Sequence, residues 1–306
     1  MYGQFLLKDE QITMNILSFG EVLWDVIEGQ PYIGGAPLNF AAHSTRCGAK
    51  AWVLTGLGQD DLGHKALATL NELGLQTDFV VQLPNHPTGT VAVTLTSGQP
   101  TYTIHEGVAY DGVTLAPEQL QRLEATAIDV LYFGTLAQRH PTAAATLQQV
   151  LQATQPKEVF YDVNLRQQFY SRALVEQSMQ RATILKLNEE EVQVLSKLLT
   201  GFEQTPQVFC STVNERFAVP IVLVTMGGEG CLVYQQGTTH RIPGRPVVVA
   251  DAVGAGDAFS AAFVTQYFKN ADAAEAANIA NRLGGYVASR RGAIPSYSED
   301  IQLLLS

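Results

Sequence analysis

Charged residues are scarce in this sequence, and basic residues are scarcer than acidic ones. They make up 16% of the 306 positions, with 29 acidic against 19 basic residues and a formal net charge of −10. Such a surface repels polyanions, so we expect neither nucleic acid nor a membrane as a partner. A nucleotide is not excluded, because a few local hydrogen-bond donors can outweigh a diffuse negative field.

Cysteine is rare as well. The three cysteines, Cys47, Cys210 and Cys231, lack the spacing of metal ligands. The sequence shows no secretory leader, so a reduced, cytoplasmic setting is expected. Residues 1–13 are polar and without periodic pattern, whereas Met14 directly precedes the first strand-like run. We therefore expect the folded domain to cover residues 14–306, with Met14 as a candidate native start.

Two common nucleotide-binding motifs are missing. The glycine-rich residues 254–256 are not followed by Gly-Lys-Ser or Gly-Lys-Thr, which excludes a P-loop, and they lack the third glycine of a dinucleotide fingerprint. The second absence weakens a nucleotide-dependent oxidoreductase as an alternative. The surrounding apolar stretch carries Asp251 and Asp257, each of which would cost about 2.5–3.5 kcal/mol at a bilayer centre. We expect no transmembrane helix there.

The most informative stretch of the chain runs from residue 247 to residue 269. Residues 247–249 are three valines, which predict a buried strand. Gly254 and Gly256 bracket a turn, and an alanine- and phenylalanine-rich helix is predicted to follow to about Lys269. A glycine turn before a helix leaves backbone N–H groups unpaired, and the helix dipole adds to their positive potential. This arrangement predicts an anion site.

Asp257 falls in the first turn of this helix, beside the predicted anion site. An anion would repel the carboxylate unless the chemistry uses it. A base that takes a proton from a hydroxyl during phosphoryl transfer is such a use. The alternative is an ordinary strand-to-helix turn with an acidic residue at the helix N-terminus. On residues 254–257 alone the two interpretations have about equal weight.

The rest of the chain alternates strand-like and helix-like segments and contains no internal repeat. The pattern predicts a single α/β domain with a mostly parallel sheet covered by helices on both faces. Strand-like runs lie at residues 16–19, 51–55, 130–133, 159–163, 184–187 and 221–224, and helical segments include 37–47, 61–73, 142–153, 189–199 and 273–291.

Residues 88–105 interrupt this alternation. Apolar and polar side chains alternate through 91–96 and again through 101–105, with a turn between them, which predicts an antiparallel ribbon. As a lid, the ribbon would exclude water from a reaction site. The alternative is an edge hairpin without a gating role, and a free edge also invites pairing with a second copy of the chain.

Polar residues follow several predicted strands. Because the carboxyl ends of parallel strands share one edge of a sheet, that edge is the expected ligand site. Gly34 and Gly35 would let the backbone approach a ligand closely, and Asn39 is predicted to face outward from a helix that starts at Pro37. The polar strand ends comprise Asp25, residues 162–166, residues 186–191, residues 225–230 and Asp251.

Each of these polar residues has a local alternative. Asp25 is equally explained as a surface charge. Asn188 and Glu191 have the spacing of a helix capping box. Arg166 would either pair with Asp162 or reach a substrate. Thr225, Gly227 and Gly230 would serve as turn residues before the next strand.

Two motifs together resemble a known family. Residues 251–259, Asp-Ala-Val-Gly-Ala-Gly-Asp-Ala-Phe, are similar to the C-terminal signature of the ribokinase-like (PfkB) carbohydrate kinases. Residues 34–41, Gly-Gly-Ala-Pro-Leu-Asn-Phe-Ala, and residues 56–63 resemble the N-terminal signature. The two motifs stand in the expected order and span nearly the whole chain. The amino-acid sequences of residues 34–40 and 133–139 resemble the fructokinase branch of the family most.

The resemblance implies a ribokinase-like three-layer fold with a small inserted β lid, formed by residues 22–35 and 88–110. It implies transfer of a phosphoryl group from MgATP to a sugar. Asp257 would act as the base, while backbone N–H groups of Gly254, Ala255 and Gly256 would stabilise the transferred group. Ala252 stands where the family often has threonine, which leaves Asp251 and the backbone on that side of a cation site.

The resemblance also implies roles for other residues. Ala109 and Asp111 would lie near the sugar or the hinge. Asp25, Gly34, Gly35, Asn39, Tyr102 and Arg166 would bind the sugar. Asn188, Glu191, Thr225, Gly227, Gly230 and Asn281 would bind ATP and support Mg²⁺. Asp251, Val253, Val287, Gly292 and Ser296 would hold a monovalent cation such as K⁺.

The resemblance identifies the type of reaction more narrowly than it identifies the sugar that accepts the phosphoryl group. Fructose is the first expected acceptor, before ribose, 2-keto-3-deoxygluconate or a nucleoside. The non-enzyme alternative is a sugar or nucleotide sensor of the same fold, which loss of Asp257 or of the glycine turn would indicate. Both are intact. A homodimer formed through the lid is the expected assembly.

Overall fold

The computed structural model describes residues 14–96 and 99–305. The strands in chain order are β1 (Asn15–Phe19), β2 (Leu23–Ile27), β3 (Gln30–Gly34), β4 (Lys50–Gly58), β5 (Val80–Leu83), β6 (Gly89–Thr96), β7 (Gln99–Ile104), β8 (Val130–Gly134), β9 (Glu158–Asp162), β10 (Ile184–Asn188), β11 (Ile221–Thr225), β12 (Gly230–Gln235) and β13 (Thr238–Pro243). The helices are α1 (Ala36–Arg46), α2 (Asp61–Glu72), α3 (Pro117–Ala125), α4 (Pro141–Thr154), α5 (Arg172–Met179), α6 (Glu189–Thr200), α7 (Pro206–Phe217), α8 (Ala255–Asn270), α9 (Ala273–Ala288) and α10 (Glu299–Leu305).

Nine strands form the larger sheet, in the order β13-β12-β11-β10-β9-β8-β1-β4-β5. The strands from β11 to β5 pair in parallel, whereas β12 and β13 are antiparallel. The predicted α/β class with a mostly parallel sheet is confirmed. The chain builds outward from β1 in both directions, and the carboxyl edge at such a reversal is where open α/β sheets bind ligands.

Helices cover both faces of the larger sheet. Successive strand residues point to opposite faces, so neighbours on one strand belong to different cores. Ile16 belongs to the core that also contains side chains of α1, α2, α8, α9 and α10. Leu17 belongs to the core that contains side chains of the helices from α3 to α7. This division gives the three layers that the sequence predicted.

A second sheet of four strands, here called the small sheet, has the order β3-β2-β6-β7. The predicted ribbon is confirmed, since β6 and β7 are antiparallel and Val91 lies opposite Ile104. The parallel pairing of β2 with β6 joins the ribbon to β2 and β3. Leu23, Val91 and Ile104 pack with Tyr110 and Leu136, which attaches the small sheet to the rest of the molecule.

The prediction of a buried strand at residues 247–249 is wrong. No strand forms there, and Val248 is 89% exposed. The amides of Ala250 and Asp251 donate instead to the carbonyl of Ala288 at the end of α9. Valine has a high strand propensity, but propensity alone does not form a strand, and in the described part of the chain residues 247–249 pair with no strand of the larger sheet.

Neither a membrane span nor a disulfide is found in the described part of the chain. Within residues 14–96 and 99–305 the helices are too short or too polar to cross a bilayer. Cys47, Cys210 and Cys231 are all buried free thiols.

Candidate active site

The N-terminus of α8 has free donors, as an anion site requires. Gly254 caps the helix with φ 79°, and a Cβ at this residue would lie 2.4 Å from the carbonyl oxygen of Ala293, so glycine is required. Among the described residues no backbone acceptor bonds the N–H groups of Gly254 and Gly256. The N–H of Ala255 donates to the carbonyl of Ala252 at 3.3 Å, so it is the least free of the three predicted donors.

Asp257 lies directly beyond these donors. Its Oδ2 accepts a hydrogen bond from Asn39 Nδ2 at 2.8 Å. Burial raises the pKa of Asp257 to about 6, the negative charge of Asp162 adds to this rise, and Lys186, Asn39 and Arg166 oppose it. A carboxylate with a pKa of about 6 is ionised at neutral pH and is a stronger base than an ordinary aspartate.

A buried ion pair lies beneath the glycine turn. Lys186 Nζ donates to Asp162 Oδ2 at 2.8 Å, and both side chains are less than one tenth exposed. The two residues pair in register on β9 and β10, and Tyr132 Oη also donates to Asp162. Lys186 Nζ lies 3.4 Å from the place that a Cβ on Gly256 would occupy. The ammonium charge therefore reaches the turn.

Asp162 does not pair with Arg166, which resolves one alternative that the sequence left open. Arg166 is exposed, and its charge lowers the pKa of Glu21, Asp25 and Asp257. Partial burial is the larger effect on Asp25 and raises its pKa. Arg166 is thus close enough to the carboxylates of Glu21, Asp25 and Asp257 for its charge to act on all three.

Asn39 reaches Asp257 across 218 residues of sequence because α1 packs against α8. Its side chain is 4% exposed, so the prediction that it faces outward is wrong. Gly35 has φ 117°, and a Cβ there would lie 2.3 Å from the carbonyl oxygen of Glu21. Gly34 likewise faces Asp25, whose Oδ2 would lie 2.9 Å from an added Cβ. Close backbone packing therefore explains the glycine pair even before a ligand is considered.

Tyr102 lies on the small sheet and is 56% exposed. Its carbonyl accepts a hydrogen bond from Gln167 Nε2 at 2.8 Å, which ties β7 to the loop that carries Arg166. Asp25 and Tyr102 share a face of the small sheet, because Asp25 lies opposite Val91, and Val93, two residues on, lies opposite Tyr102.

Arg139 holds the connection between the small sheet and the rest of the molecule. Its guanidinium makes two hydrogen bonds of 2.8 Å to the carboxylate of Asp111. It also lies over the rings of Tyr110 and Phe169, at 5.0 and 4.7 Å. From the sequence, Asp111 is expected near the sugar or the hinge, whereas no role is predicted for Arg139, which lies 28 residues further along the chain.

The residues predicted for the nucleotide follow one edge of the larger sheet. Asn188 and Glu191 form the capping box at the start of α6, with both hydrogen bonds at 2.9 Å. The second oxygen of Glu191 accepts the N–H of Leu165 at 2.7 Å, so both carboxylate oxygens are used. The other predicted residues lie at the ends of β11 and β12 and on α9: Thr225, Gly227, Gly230 and Asn281.

Two of the residues predicted for a monovalent cation, Val253 and Gly292, lie beside Asp251. Its Oδ1 accepts the N–H of Val253 at 3.0 Å, and its Oδ2 accepts the N–H of Gly292 at 3.1 Å. The carbonyl of Ser296 accepts the hydroxyl of Tyr286 at 2.8 Å. Asp251 therefore joins the loops before α8 and after α9. In the described part of the chain, no cluster of three or more histidine, cysteine or acidic side chains has the arrangement of a metal site.

Comparison with known proteins points to one family. The chain is 27% identical over 297 residues to a Pyrococcus horikoshii protein described as a sugar kinase, covering 91% of each chain. It is 27% identical over 316 residues to fructokinase-1 of Zea mays, covering 94% of this chain and 96% of that one. A solved structure of Xylella fastidiosa fructokinase with bound ATP superposes with a TM-score of 0.81 at 20% identity, covering 95% of this chain and 97% of that one. A sequence profile described as pfkB family carbohydrate kinase matches residues 4–300, and the chain therefore belongs to the pfkB family of carbohydrate kinases.

Proposed function

We propose that this chain transfers the γ-phosphoryl group of MgATP to a sugar hydroxyl, with fructose as the preferred acceptor. One observation carries the proposal: Asp257, a partly buried carboxylate held by Asn39, lies beside the free N–H groups of Gly254 and Gly256. A base next to an anion site is the arrangement that phosphoryl transfer to a hydroxyl needs.

The reaction then assigns a task to each group. The sugar hydroxyl lies between Asp257 and the γ-phosphate, and its proton passes to Asp257 as the sugar oxygen bonds to phosphorus. The bond from this phosphorus to the bridging oxygen breaks, and ADP leaves. The N–H groups of Gly254 and Gly256, with the Lys186 ammonium below them, stabilise the charge on the transferred group.

ATP is proposed to lie along the sheet edge formed by the carboxyl ends of β10 and β11 and the amino end of β12. The helix N-terminus at Asn188 and the glycine turn at residues 227–230 present backbone N–H groups to phosphates there. Mg²⁺ arrives with ATP as part of the substrate. Because both oxygens of Glu191 already accept N–H groups, its proposed support of the ion is through a water ligand. K⁺ is proposed beside Asp251, because Asp251, Val253, Val287, Gly292 and Ser296 resemble the monovalent-cation site of the family.

The small sheet is proposed to act as the lid over the sugar. It carries Asp25 and Tyr102 on one face, and Arg139 with Asp111 fixes its base. The three buried free thiols are compatible with the reduced cytoplasmic setting that we propose.

Two observations favour fructose over other sugars. The amino-acid sequences of residues 34–40 and 133–139 resemble those of fructokinases, and the chain is similar to a fructokinase from Zea mays. A site with buried polar groups discriminates strongly against a sugar that lacks a partner hydroxyl, by up to about 10⁴-fold, whereas shape alone discriminates weakly. Ribose, 2-keto-3-deoxygluconate and nucleosides are the competing acceptors.

The test is ADP release with MgATP and a panel containing fructose, glucose, ribose, 2-keto-3-deoxygluconate and adenosine. Fructose should exceed ribose and glucose in kcat/KM by more than tenfold, about 1.4 kcal/mol in transition-state binding. Equal or better turnover of ribose would contradict fructose as the acceptor. Turnover of none of the panel, with intact ATP binding, would favour a sensor over an enzyme.

A further inference from the structure

Glu21 is a buried acid to which the reaction proposed above assigns no task. It follows β1 by two residues, at the carboxyl edge of the larger sheet, and is 4% exposed. Burial raises its pKa to about 7, while its own N–H, the Arg166 charge and the N–H of Ala36 lower it and Asp257 raises it. The N–H of Ala36, at the start of α1, and the charge of Asp257, the proposed catalytic base, thus both act on this carboxylate.

One oxygen of Glu21 has no partner. Glu21 Oε2 is a buried atom without a hydrogen bond, and so is Oδ1 of Asn39, the residue that holds Asp257. Buried polar atoms without a partner are rare and costly in folded proteins, so each requires an explanation. Two such atoms flank the same catalytic carboxylate. A ligand with several hydroxyl groups, bound in this space, would supply partners to both.

A purely structural acid looks different in this protein. Glu191 is similarly buried, and N–H groups occupy both of its oxygens at 2.7 and 2.9 Å. Asp162 accepts from Lys186 and Tyr132, and Asp111 accepts from Arg139. Glu21 differs because its Oε2 is buried without a partner, although the charges of Arg166 and Asp257 both act on this carboxylate.

We propose that Glu21 is a further sugar-binding residue, whose Oε2 hydrogen-bonds a hydroxyl of the acceptor other than the one that Asp257 deprotonates. This inference rests on the proposed sugar kinase function and names a residue that selects the acceptor. The recognised class is a polyhydroxylated sugar with a second hydroxyl near the reacting one. Because a carboxyl group with a pKa near neutrality accepts or donates a hydrogen bond, it suits a hydroxyl in either role.

The experiment compares the acceptor found in the panel with analogues that each lack one hydroxyl. For the wild-type chain, removal of the hydroxyl that contacts Glu21 should lower kcat/KM by about 10- to 100-fold. In Glu21→Ala, removal of the same hydroxyl should lower kcat/KM by less than threefold. The losses of kcat/KM on removal of the other hydroxyls, and the KM for ATP, should stay at their wild-type values. Glu21→Gln keeps the length of the side chain and should give a penalty between these two values.

Glu158 offers a matched control. It is a partly buried acid at the amino end of β9 and accepts a hydrogen bond from Thr183. In Glu158→Gln, the ratio of kcat/KM for the full acceptor to kcat/KM for each analogue should keep its wild-type value. If Glu21→Ala does not fold, Glu21→Gln decides the question. The proposal is overturned if removal of each acceptor hydroxyl lowers kcat/KM of Glu21→Gln as much as it does for the wild-type chain. If Glu21→Ala folds and still shows the wild-type loss of kcat/KM with every analogue, the proposal is overturned as well. A residue with a purely structural role would change the stability of the protein and not its discrimination at one hydroxyl. A wild-type chain that phosphorylates no sugar overturns both this inference and the proposed function.

Discussion

At the scale of single residues, the site depends on a balance of buried charges around Asp257. Asp162 raises the pKa of Asp257, whereas Lys186 and Arg166 lower it. Since Asp162 and Lys186 are bonded to each other, their effects partly cancel. Burial is therefore the main cause of the raised pKa, which makes this aspartate a better base than one on the surface.

Replacing Asp257 by asparagine should remove the base and keep its shape. A positioned base typically contributes about 10²- to 10⁴-fold in rate, so kcat of Asp257→Asn should fall on that scale. Sugar and ATP affinities, measured by calorimetry, should change little. Asp61→Asn, at an exposed residue in the first turn of α2, is the control and should keep wild-type kcat. A near-normal kcat in Asp257→Asn would show that another group takes the proton.

The pH dependence follows from the same carboxylate. Asp257 must be ionised to accept a proton, so kcat/KM should fall as the pH drops through its pKa of about 6. Glu21, with a pKa of about 7, titrates in the same space and faces Arg166 and Asp257. The fall of kcat/KM on the acid side of the pH profile should therefore lie between about pH 6 and 7. In Glu21→Gln, the fall of kcat/KM should be centred near pH 6. A profile that is flat down to pH 5 would contradict a raised pKa at the base.

At the scale of secondary structure elements, the proposed site consists of two units: the glycine turn that begins α8 and the small sheet. The turn is fixed by contacts of Gly254 with Ala293 and by the hydrogen bonds of Asp251. The small sheet is held at its base by Arg139 and by a cluster of a few apolar side chains. Fewer apolar contacts hold the small sheet than hold α8, so it is the element more suited to move.

Sugar binding should slow amide hydrogen exchange in β6 and β7 if the small sheet closes over the sugar. The comparison is exchange with and without saturating acceptor, read from peptides covering β6, β7 and, as an internal reference, β9. We expect slower exchange in β6 and β7 and no change in β9, which is central in the larger sheet. Equal rates in β6 and β7 with and without sugar would remove the lid role.

At the scale of the whole molecule, the nine strands bring distant parts of the chain to one edge. The sheet reverses its order beside β1, and Glu21, Asp162 and Asn188 all lie at or just beyond the carboxyl ends of their strands. The small sheet presents three exposed apolar side chains: Ile27 is 43% exposed, Tyr32 57% and Tyr102 56%. The register places these three on the same face as Asp25.

A homodimer that forms through the small sheet should use this face. Exposed apolar side chains on an unpaired sheet invite association. Sedimentation velocity at several concentrations should show a dimer for the wild-type chain, and Ile27→Glu should shift the equilibrium toward monomer by at least tenfold in Kd. Val194→Glu, at an exposed valine on α6, is the matched control and should not shift it. A wild-type chain that is monomeric at all concentrations would exclude this assembly.

The sequence by itself determined the local features of this protein. The alternation of strands and helices, the antiparallel ribbon, the turn at Gly254 and the capping box at Asn188 depend on neighbouring residues, so short windows of sequence predicted them correctly. The motifs added the family, which the match over residues 4–300 confirmed. The valines at 247–249 misled because strand propensity does not say whether a partner strand exists.

Tertiary structure decided which side chains meet. Asn39 reaches Asp257 across 218 residues, and Asp162 bonds to Lys186 rather than to Arg166 four residues away. These choices depend on which strands are neighbours in the sheet and which helices pack on one face, and no local pattern carries that information. The burial that sets the pKa values of Asp257 and Glu21 arises in the same way, since it requires both layers of helices and the sheet edge to be in place.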